Sequence, residues 1–313
     1  MKTNVVAVVG PTAVGKTKLS VELAKRFHGE IISGDSMQVY QGLDIGTAKV
    51  TDEEKQGIPH YMIDIKGPEQ DFSVADFQEH VQHYIHYIDS RNKLPIIAGG
   101  TGLYIQSTLY NFNFSSQKRD EQFEKDMLTA IQEKGVEPFY HKLKKVDPEQ
   151  AGKIHPNNLR RVIRALEVYE RTGLTMSELQ QKQADESPYN PILIGLSMDR
   201  EELYRRINHR VDLMMEEGLL SEAKRLYERG LKKAQSMQGI GYKEFIPYFE
   251  GKWSLEESIE RLKRNSRRYA KRQYTYFRNK MDVHWYSISE LTLQETFSLI
   301  FRDLEGLLQN ITK

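Results

Sequence analysis

The sequence predicts an α/β fold in which helices flank a mostly parallel β-sheet, with an additional α-helical insertion. Three observations support this prediction. Short, continuous apolar runs at residues 5–9 and 95–98 end in glycine-rich loops, which is typical of strands buried on both faces. Segments with helical apolar spacing alternate with these runs. Residues 114–185, by contrast, are highly charged, helix-forming and poor in strand signals.

The first third of the chain alternates between strand and helix patterns. The predicted elements are, in order, a strand at residues 5–9, a helix at 16–27, a strand at 30–33, a helix at 73–91 and a strand at 94–100. The first helix has an apolar stripe at spacing four, formed by Leu19, Leu23 and Phe27. Ser73 is expected to cap the second helix, and Asp76 supplies a second carboxylate for a capping box.

Strand character returns only at residues 191–199, after the charged stretch. Helices are then expected at 200–229 and 254–279, before a last strand at 282–288. The simplest arrangement is a helical insertion between two strands of one sheet. The predicted division is therefore a first part of the core at residues 1–113, an insertion domain at 114–190 and a second part of the core at 191–313.

The overall composition excludes several classes of protein. Lys and Arg number 45 against 44 Asp and Glu, so net charge does not indicate a partner. The absence of cysteine excludes a disulfide framework and a thiolate metal site. The longest apolar run, residues 5–9, is too short to span a bilayer, and no signal peptide is evident. We expect a cytoplasmic protein without membrane contact.

The segment GPTAVGKT fits the phosphate-binding pattern G-x-x-x-x-G-K-[ST] between a predicted strand and a predicted helix. Glycines let successive backbone N–H groups converge on one anion, and the helix N-terminus adds partial positive charge. Lys16 supplies a full charge, and the Thr17 hydroxyl can bind Mg²⁺. This pattern predicts a P-loop NTPase-like core with a cradle formed by Gly10, Thr12, Ala13, Val14, Gly15, Lys16 and Thr17.

The cradle alone does not identify the phosphate compound. A nucleotide-hydrolysing enzyme usually has a magnesium-directing aspartate at the end of a neighbouring strand, but residues 95–102 end in glycines instead. Asp199 follows another predicted strand, although an aspartate at that place more commonly caps a helix. An ATP-dependent kinase of a small metabolite therefore remains an alternative.

A carboxylate is predicted to face the same edge of the sheet. Asp35 follows the second strand, and the carboxyl ends of parallel strands meet at one edge. Ser36 and Gln38 add hydrogen-bonding groups suited to an amide or a base edge. A third loop, at residues 99–104, also leaves a strand at this edge. These three loops predict one crevice in which Asp35 is the candidate general base.

Several blocks together resemble one enzyme family. They are GPTAVGKT, GDSMQVYQGLDIGTAK, HYMID, AGGTGLY, NLRRVIRALEVYERTG, GIGYKEF and YAKRQYTYFR. In these blocks the chain, up to about residue 280, is similar to the tRNA dimethylallyltransferases, also called tRNA isopentenyltransferases. The resemblance implies transfer of a dimethylallyl group from dimethylallyl diphosphate to N6 of adenosine 37 in the tRNA anticodon loop. Pyrophosphate is then the leaving group, and Mg²⁺ is the implied cofactor.

The resemblance also implies roles for individual residues. Asp35 matches the family's general base, and Thr101 matches a threonine near the reacting centre. Lys16, the loop amides and an Mg²⁺ ion held partly by Thr17 can absorb the charge of the leaving diphosphate. The segment that touches the target base includes Asp35, Ser36, Met37 and Gln38.

Localised positive charge is expected to bind the tRNA stem-loop. Arg160, Arg161 and Arg164 recur at helical spacing in a block to which the family assigns tRNA contact. Arg268 and Arg272 belong to a run of basic residues at 261–280 that favours an RNA track. A chain without cysteine lacks the zinc finger of some eukaryotic members, so we expect the short bacterial type, acting as a monomer. An RNA-binding protein that uses a nucleotide as a structural switch is a third hypothesis.

Overall fold

A computed structural model describes residues 2–112, 120–181, 186–289 and 293–311 of the chain. Its sheet contains, among these residues, the strands β1 Asn4–Val9, β2 Gly29–Ser33, β3 His60–Tyr61, β4 Leu94–Gly99, β5 Asn190–Ser197 and β6 His284–Ser287. The order across the sheet is β3-β2-β4-β1-β5-β6, and every neighbouring pair is parallel. The predicted α/β fold with a parallel sheet is confirmed.

The strand order determines which loops become neighbours. β1 lies between β4 and β5, with Val8 paired to Ala98 on one side and to Ile194 on the other. β2 pairs with the opposite edge of β4. Because these strands are parallel, the loops that follow β2, β4 and β1 leave the sheet side by side at its carboxyl edge.

Helices cover both faces of this sheet. The α-helices of the chain as a whole, within the described residues, are α1 Lys16–Arg26, α2 Asp52–Lys55, α3 Val74–Asp89, α4 Gly102–Leu109, α5 Glu121–Lys134, α6 Glu137–Val146, α7 Pro148–Lys153, α8 Leu159–Thr172, α9 Met176–Gln181, α10 Arg200–Glu216, α11 Leu219–Glu228, α12 Ile246–Phe249, α13 Leu255–Lys280 and α14 Leu293–Ile311, of which α5 to α9 do not contribute to the two apolar clusters on the sheet. Side chains alternate along a strand, so Val5 and Val9 pack into one apolar cluster and Val6 and Val8 into the other. The apolar run of β1 is thus buried on both faces, as the sequence predicted.

Local sequence signals placed some helix ends correctly and missed others. The capping box of α3 is present: Ser73 Oγ accepts the N–H of Asp76, and the Asp76 carboxylate accepts the N–H of Ser73. The single helix expected over residues 200–229 is wrong, because Gly218 adopts a left-handed conformation (φ 101°) and separates α10 from α11. The helix α4, which begins directly after the glycine-rich loop following β4, was not predicted.

Contacts divide the chain into two compact units. The first unit contains residues 1–110 and 187–313, and the second contains residues 111–186. In its described residues the second unit is helical, and its own core is formed by Leu143, Ala151, Ile154, Val162, Ala165 and Leu166. The predicted boundary at 113/114 falls outside the described residues, whereas the one predicted at 190/191 lies four residues beyond the end of the second unit. No helix in the described part of the chain has the length and apolar character needed to cross a bilayer.

Candidate active site

The loop between β1 and α1 has the geometry of an anion cradle. Gly10 has φ 138°, and a Cβ there would lie 2.6 Å from the carbonyl oxygen of Leu196, so only glycine fits. Ala13 and Gly15 adopt left-handed conformations, at φ 65° and 98°, which fold the loop tightly before the helix begins. Within the described part of the chain, no side chain caps α1 at Gly15, so the N–H groups of its first turn are available to a ligand.

Lys16 lies within this cradle and is electrostatically coupled to the neighbouring loops. Its Nζ donates a hydrogen bond to the carbonyl oxygen of Pro11 at 2.7 Å. Burial and, to a smaller extent, the charge of Arg210 lower the pKa of Lys16 to about 7, although the carboxylate of Asp35 opposes both effects. A bound diphosphate would supply negative charge and stabilise the protonated ammonium group.

Asp35 follows β2 and lies close enough to Lys16 for the two charges to interact. One carboxylate oxygen accepts the backbone N–H of Met37 at 2.8 Å, which fixes the side chain in a local turn. Burial raises the pKa of Asp35, although the N–H groups of Met37 and Gln38 and the charges of Lys16 and Arg210 act against this effect. A carboxylate whose proton affinity is raised in this way is a better proton acceptor than an exposed one.

Thr101 joins the third loop to the Asp35 loop. Its Oγ1 accepts the backbone N–H of Ser36 at 3.2 Å. The two loops also approach backbone to backbone, because a Cβ on Gly99 would lie 2.3 Å from the carbonyl group of Gly34. The loops after β2 and β4 therefore meet at the place that the sequence predicted.

A cavity of about 280 Å³ opens between the loops after β1 and β2 and the helices α10 and α13, whereas Lys16, Thr17, Gln38 and Thr101 are not part of its lining. Of the predicted site residues, its lining includes Thr12, Ala13, Asp35, Ser36, Met37 and Arg272. The apolar part of the lining comes mainly from Ile207, Val211, Met214, Ile240 and Leu262. The cavity thus combines a carboxylate, a neighbouring phosphate cradle and an apolar wall, which suits a ligand with an anionic end and a hydrocarbon end.

Arg210 is a site residue to which the sequence pattern did not point. It lines the cavity from α10, and its charge acts on both Lys16 and Asp35. Burial lowers the pKa of Arg210, and Asp35 is among the carboxylates that oppose this effect. One signal was available: Arg210 takes a place on the apolar stripe of α10 that also contains Leu203 and Ile207.

Gln38 is held inside the protein. Its Oε1 accepts the hydroxyl hydrogen of Ser33 at 2.7 Å, and its Nε2 lies 3.2 Å from the carbonyl oxygens of Thr47 and Ala48. The side chain therefore connects the Asp35 loop to residues 44–48, part of which forms a cavity wall. Its contact with a target base stays a prediction.

Glu222 on α11 fixes the same wall. Its carboxylate, only 2% exposed, accepts the backbone N–H groups of Asp44, Ile45 and Gly46, each at 3.0 Å. It also accepts the hydroxyl hydrogen of Tyr242 at 2.7 Å. A Cβ on Gly46 would lie 2.5 Å from the Tyr242 ring, so the glycine permits this close packing. The block GIGYKE, whose role the sequence left open, thus braces the cavity wall.

Removal of this carboxylate is expected to destabilise the fold. Glu222→Ala leaves buried N–H groups and a buried hydroxyl without a partner, so the free energy of unfolding should fall by about 3 kcal/mol. Urea denaturation measures this loss. Glu228→Ala, on the same helix but in an exposed ion pair with Lys224, is the control and should change stability by about 0.5 kcal/mol or less. Equal losses for both variants would contradict the bracing role.

The long helix α13 presents exposed basic side chains. Arg264, Arg268, Lys271 and Arg272 are exposed, and Arg272 also lines the cavity with its guanidinium over the Tyr269 ring. Other basic residues of the helix are engaged elsewhere: Lys263, for example, forms an ion pair with Asp212. A positively charged stripe therefore leads to the cavity along one helix.

The remaining predicted arginines lie in the second unit, on α8. Arg160 and Arg161 are exposed there, whereas Arg164 is half-buried and pairs with Glu167 at 2.9 Å. Arg164 and the exposed pair follow the helical spacing that the sequence showed, and Val162 and Leu166 of the same helix pack into the core of this unit.

The residues of the cradle fit an Mg²⁺ ion that is bound mainly through a phosphate ligand. Thr17 is exposed in the first turn of α1 and offers one hydroxyl oxygen. Among the described residues there is no group of three or more His, Cys, Asp or Glu side chains that could hold a metal alone. Mg²⁺ typically uses one or two protein oxygens together with phosphate oxygens and water, so Thr17 would be sufficient.

Fold and site together define an α/β protein of the P-loop class with a buried carboxylate beside its phosphate cradle. Residues 38–280 match the family model described as IPP transferase. The chain is 57% identical over 309 residues to the tRNA dimethylallyltransferase of Oceanobacillus iheyensis, and the aligned region covers 99% of each chain. The chain therefore belongs to the IPP transferase family, as the sequence blocks indicated, and is a transferase.

Solved structures support the same assignment. The full-length tRNA isopentenylpyrophosphate transferase from Bacillus halodurans has a TM-score of 0.76 at 51% identity, over 99% of this chain and 98% of that one. A eukaryotic dimethylallyltransferase described as acting on tRNA has a TM-score of 0.85 at 34% identity, over 98% of this chain and 80% of that one.

Asp199, the possible magnesium-directing aspartate of a kinase, caps α10 by accepting the N–H groups of Glu201 and Glu202. These findings favour the transferase over the kinase.

Proposed function

We propose that this protein transfers a dimethylallyl group from dimethylallyl diphosphate to N6 of adenosine 37 in the tRNA anticodon loop and releases pyrophosphate. The observation that carries the proposal is the buried carboxylate of Asp35, which shares one site with the phosphate cradle of Lys16. The chain's membership in the IPP transferase family supports the same reaction.

The cradle binds the diphosphate of the prenyl donor. The N–H groups of residues 13–17, the ammonium group of Lys16 and the guanidinium of Arg210 surround an anion with positive charge. This charge matters most as the allylic C–O bond breaks and negative charge accumulates on the leaving oxygen. Thr17 would contribute one oxygen to hold Mg²⁺ at the diphosphate, where the ion would supply further charge neutralisation.

The opposite side of the cavity receives the adenine. The N6 lone pair is delocalised into the purine, so the amine is a weak nucleophile. Asp35 accepts a proton from N6 as the new C–N bond forms, which preserves the neutral amine in the product. Ser36 and Met37 line the cavity and position the base, and Thr101 holds the backbone of Ser36 in place. The apolar wall formed by Ile207 and its neighbours accommodates the five-carbon group.

The tRNA binds along α13, and the target adenine is turned out of the anticodon loop into the cavity. The exposed side chains of Arg268 and Arg272 contact the phosphate backbone, and Arg160, Arg161 and Arg164 of the second unit bind another part of the stem-loop. In this proposal the enzyme acts as a monomer. Light scattering tests this state, and the proposed tRNA substrate supports a cytoplasmic location.

Charge reversal on α13 is expected to weaken tRNA binding. The double variant Arg268→Glu and Arg272→Glu should raise the KM for tRNA by at least about tenfold and reduce the slope of log KM against log salt by about two, one for each lost phosphate contact. Steady-state kinetics at several salt concentrations measure both effects. Arg302→Glu, on the exposed face of α14, is the charge-matched control. If the slope of log KM against log salt is unchanged in the double variant, α13 does not contact the tRNA phosphates.

A direct assay separates the proposed function from its alternatives. The protein is incubated with labelled dimethylallyl diphosphate and unmodified tRNA, and in parallel with labelled ATP. Mass spectrometry of the tRNA should show a five-carbon adduct on one adenosine, whereas ATP should not be consumed. ATP turnover without prenyl transfer would favour the kinase. An RNA-binding switch predicts that neither substrate is turned over.

A further inference from the structure

Gln273 on α13 connects two of the loops that form the site. Its Oε1 accepts the backbone N–H of Thr12 in the phosphate cradle at 2.9 Å. Its Nε2 donates to the carbonyl oxygen of Gly100, beside Thr101, at 3.0 Å. The two contacts join residues 261 and 173 positions apart in the chain. One amide therefore holds the β1 loop and the β4 loop at a fixed spacing.

The surroundings of Gln273 are built around this contact. The side chain is 4% exposed and is absent from the cavity lining, so it does not reach the ligand space. A Cβ on Gly100 would lie 2.0 Å from its Nε2, so a larger residue at this position would displace the amide from its contact with the Gly100 carbonyl group. Gly102 similarly admits the ring of Tyr276, with a Cβ distance of 2.3 Å. Gly100 in the loop and Gly102 at the start of α4 thus allow this segment to pack closely against α13.

The N–H of Thr12 is consequently occupied by a protein partner. The sequence placed Thr12 among the diphosphate ligands, but its N–H already donates to Gln273. The N–H groups left for an anion are those of the left-handed part of the loop and of the first turn of α1. The shape of this part of the loop depends on how its preceding residues are anchored, and Gln273 is that anchor.

We propose that Gln273 is a positioning residue that holds the phosphate cradle in its binding geometry and keeps it in register with Thr101. It acts mainly through Thr12 and Gly100, it also interacts with the side chain of Tyr269 in the cavity wall, and it does not itself touch the substrates. Without it, a buried N–H and a buried carbonyl group lose their partners, and each loop relaxes separately. Anion affinity then falls because part of the binding energy is used to restore the cradle. The effect on reaction rate rests on the proposed function, whereas the effect on anion binding does not.

The test is the variant Gln273→Met, which has a side chain of similar length without the amide. Calorimetric titration with inorganic pyrophosphate, with and without Mg²⁺, measures the cradle alone. We expect about tenfold weaker pyrophosphate binding, the loss typical of one buried hydrogen-bonded group. In the prenyl-transfer assay the KM for the prenyl donor should rise similarly, kcat should fall, and the KM for tRNA should stay within about twofold of the wild-type value.

Tyr276→Phe is the matched control. The Tyr276 hydroxyl donates to Gln106 Oε1 at 2.6 Å, so this variant also removes a hydrogen bond between α13 and the β4 side of the site, but not one to either loop. It should bind pyrophosphate as the wild type does. If Gln273→Met does not fold, Gln273→Asn replaces it, since the shorter amide cannot reach both loops at once. The proposal would be overturned if the Gln273 variant bound pyrophosphate as tightly as the wild type, or if Tyr276→Phe lost as much pyrophosphate affinity as the Gln273 variant.

This design separates two kinds of failure. If the wild-type protein transfers no prenyl group to tRNA but Gln273→Met still binds pyrophosphate weakly, the proposed function is wrong and the positioning role stands. If the wild type is active and the variant binds pyrophosphate normally, the positioning role is wrong and the proposed function stands.

Discussion

Asp35→Asn is expected to reduce kcat for prenyl transfer by about 10²- to 10⁴-fold, the usual contribution of a positioned general base. The asparagine side chain has nearly the same shape and can still accept the N–H of Met37, so the turn should persist. The amide, however, cannot accept the N6 proton. The KM for tRNA should stay within about twofold of the wild-type value, because binding along the basic helix is unaffected. Single-turnover kinetics measure the change in the chemical step.

The pH dependence of the prenyl-transfer rate is a second test of the role of Asp35. Burial raises the pKa of Asp35, so protonation removes the base at higher pH than for an exposed aspartate. The wild-type rate should therefore rise with pH and level off above this raised pKa, and the rise should disappear in Asp35→Asn. The control is Asp199→Asn, because asparagine also caps helices well and activity should be kept. A full rate in Asp35→Asn, or inactivity only in Asp199→Asn, would contradict the assignment.

Lys16→Ala is expected to lower kcat/KM for dimethylallyl diphosphate by about 10²- to 10³-fold, comparable to the loss of one preorganised oxyanion contact. The lysine ammonium group lies inside the cradle, where it donates to the carbonyl oxygen of Pro11 and carries a full positive charge toward a bound diphosphate. Without Lys16, the N–H groups of the cradle and Arg210 must stabilise the charge of the leaving diphosphate. Initial rates at varied prenyl donor and saturating tRNA measure this effect.

Lys18→Ala is the matched control for this prediction. Lys18 lies in the first turn of the same helix but is exposed, so the change in net charge is the same while the cradle is intact. It should retain kcat/KM within about twofold, as is usual for a solvent-exposed charge. Similar losses for Lys16→Ala and Lys18→Ala would indicate a general electrostatic effect and not a specific contact.

The parts of the molecule that local sequence signals determine were predictable. The apolar runs gave the buried strands, the pattern around Lys16 gave the cradle, and the position of Asp35 after a strand gave its edge of the sheet. These inferences depend on residues that are neighbours in sequence or on the general geometry of parallel sheets. The capping box at Ser73 is equally local and was also predicted.

The supporting contacts were not predictable, because they join distant parts of the chain. Arg210 belongs to an otherwise ordinary amphipathic helix, and only the packing of α10 brings it beside Asp35. Glu222 reaches backbone groups about 180 positions away, and Gln273 reaches Thr12 across 261 positions. Polar residues on helices usually face solvent, so a single sequence does not show which of them are buried and bonded.

The central claim is that the prenyl diphosphate occupies the Lys16 cradle while Asp35 faces N6 of the extruded adenine. The most direct measurement is a crystal structure with a non-hydrolysable prenyl thiolodiphosphate, Mg²⁺ and an anticodon stem-loop. The diphosphate oxygens should contact Lys16 and the N–H groups of residues 13–17, with an Asp35 oxygen within about 3.2 Å of N6. A diphosphate bound elsewhere, or Asp35 beyond hydrogen-bonding reach of N6, would contradict the mechanism.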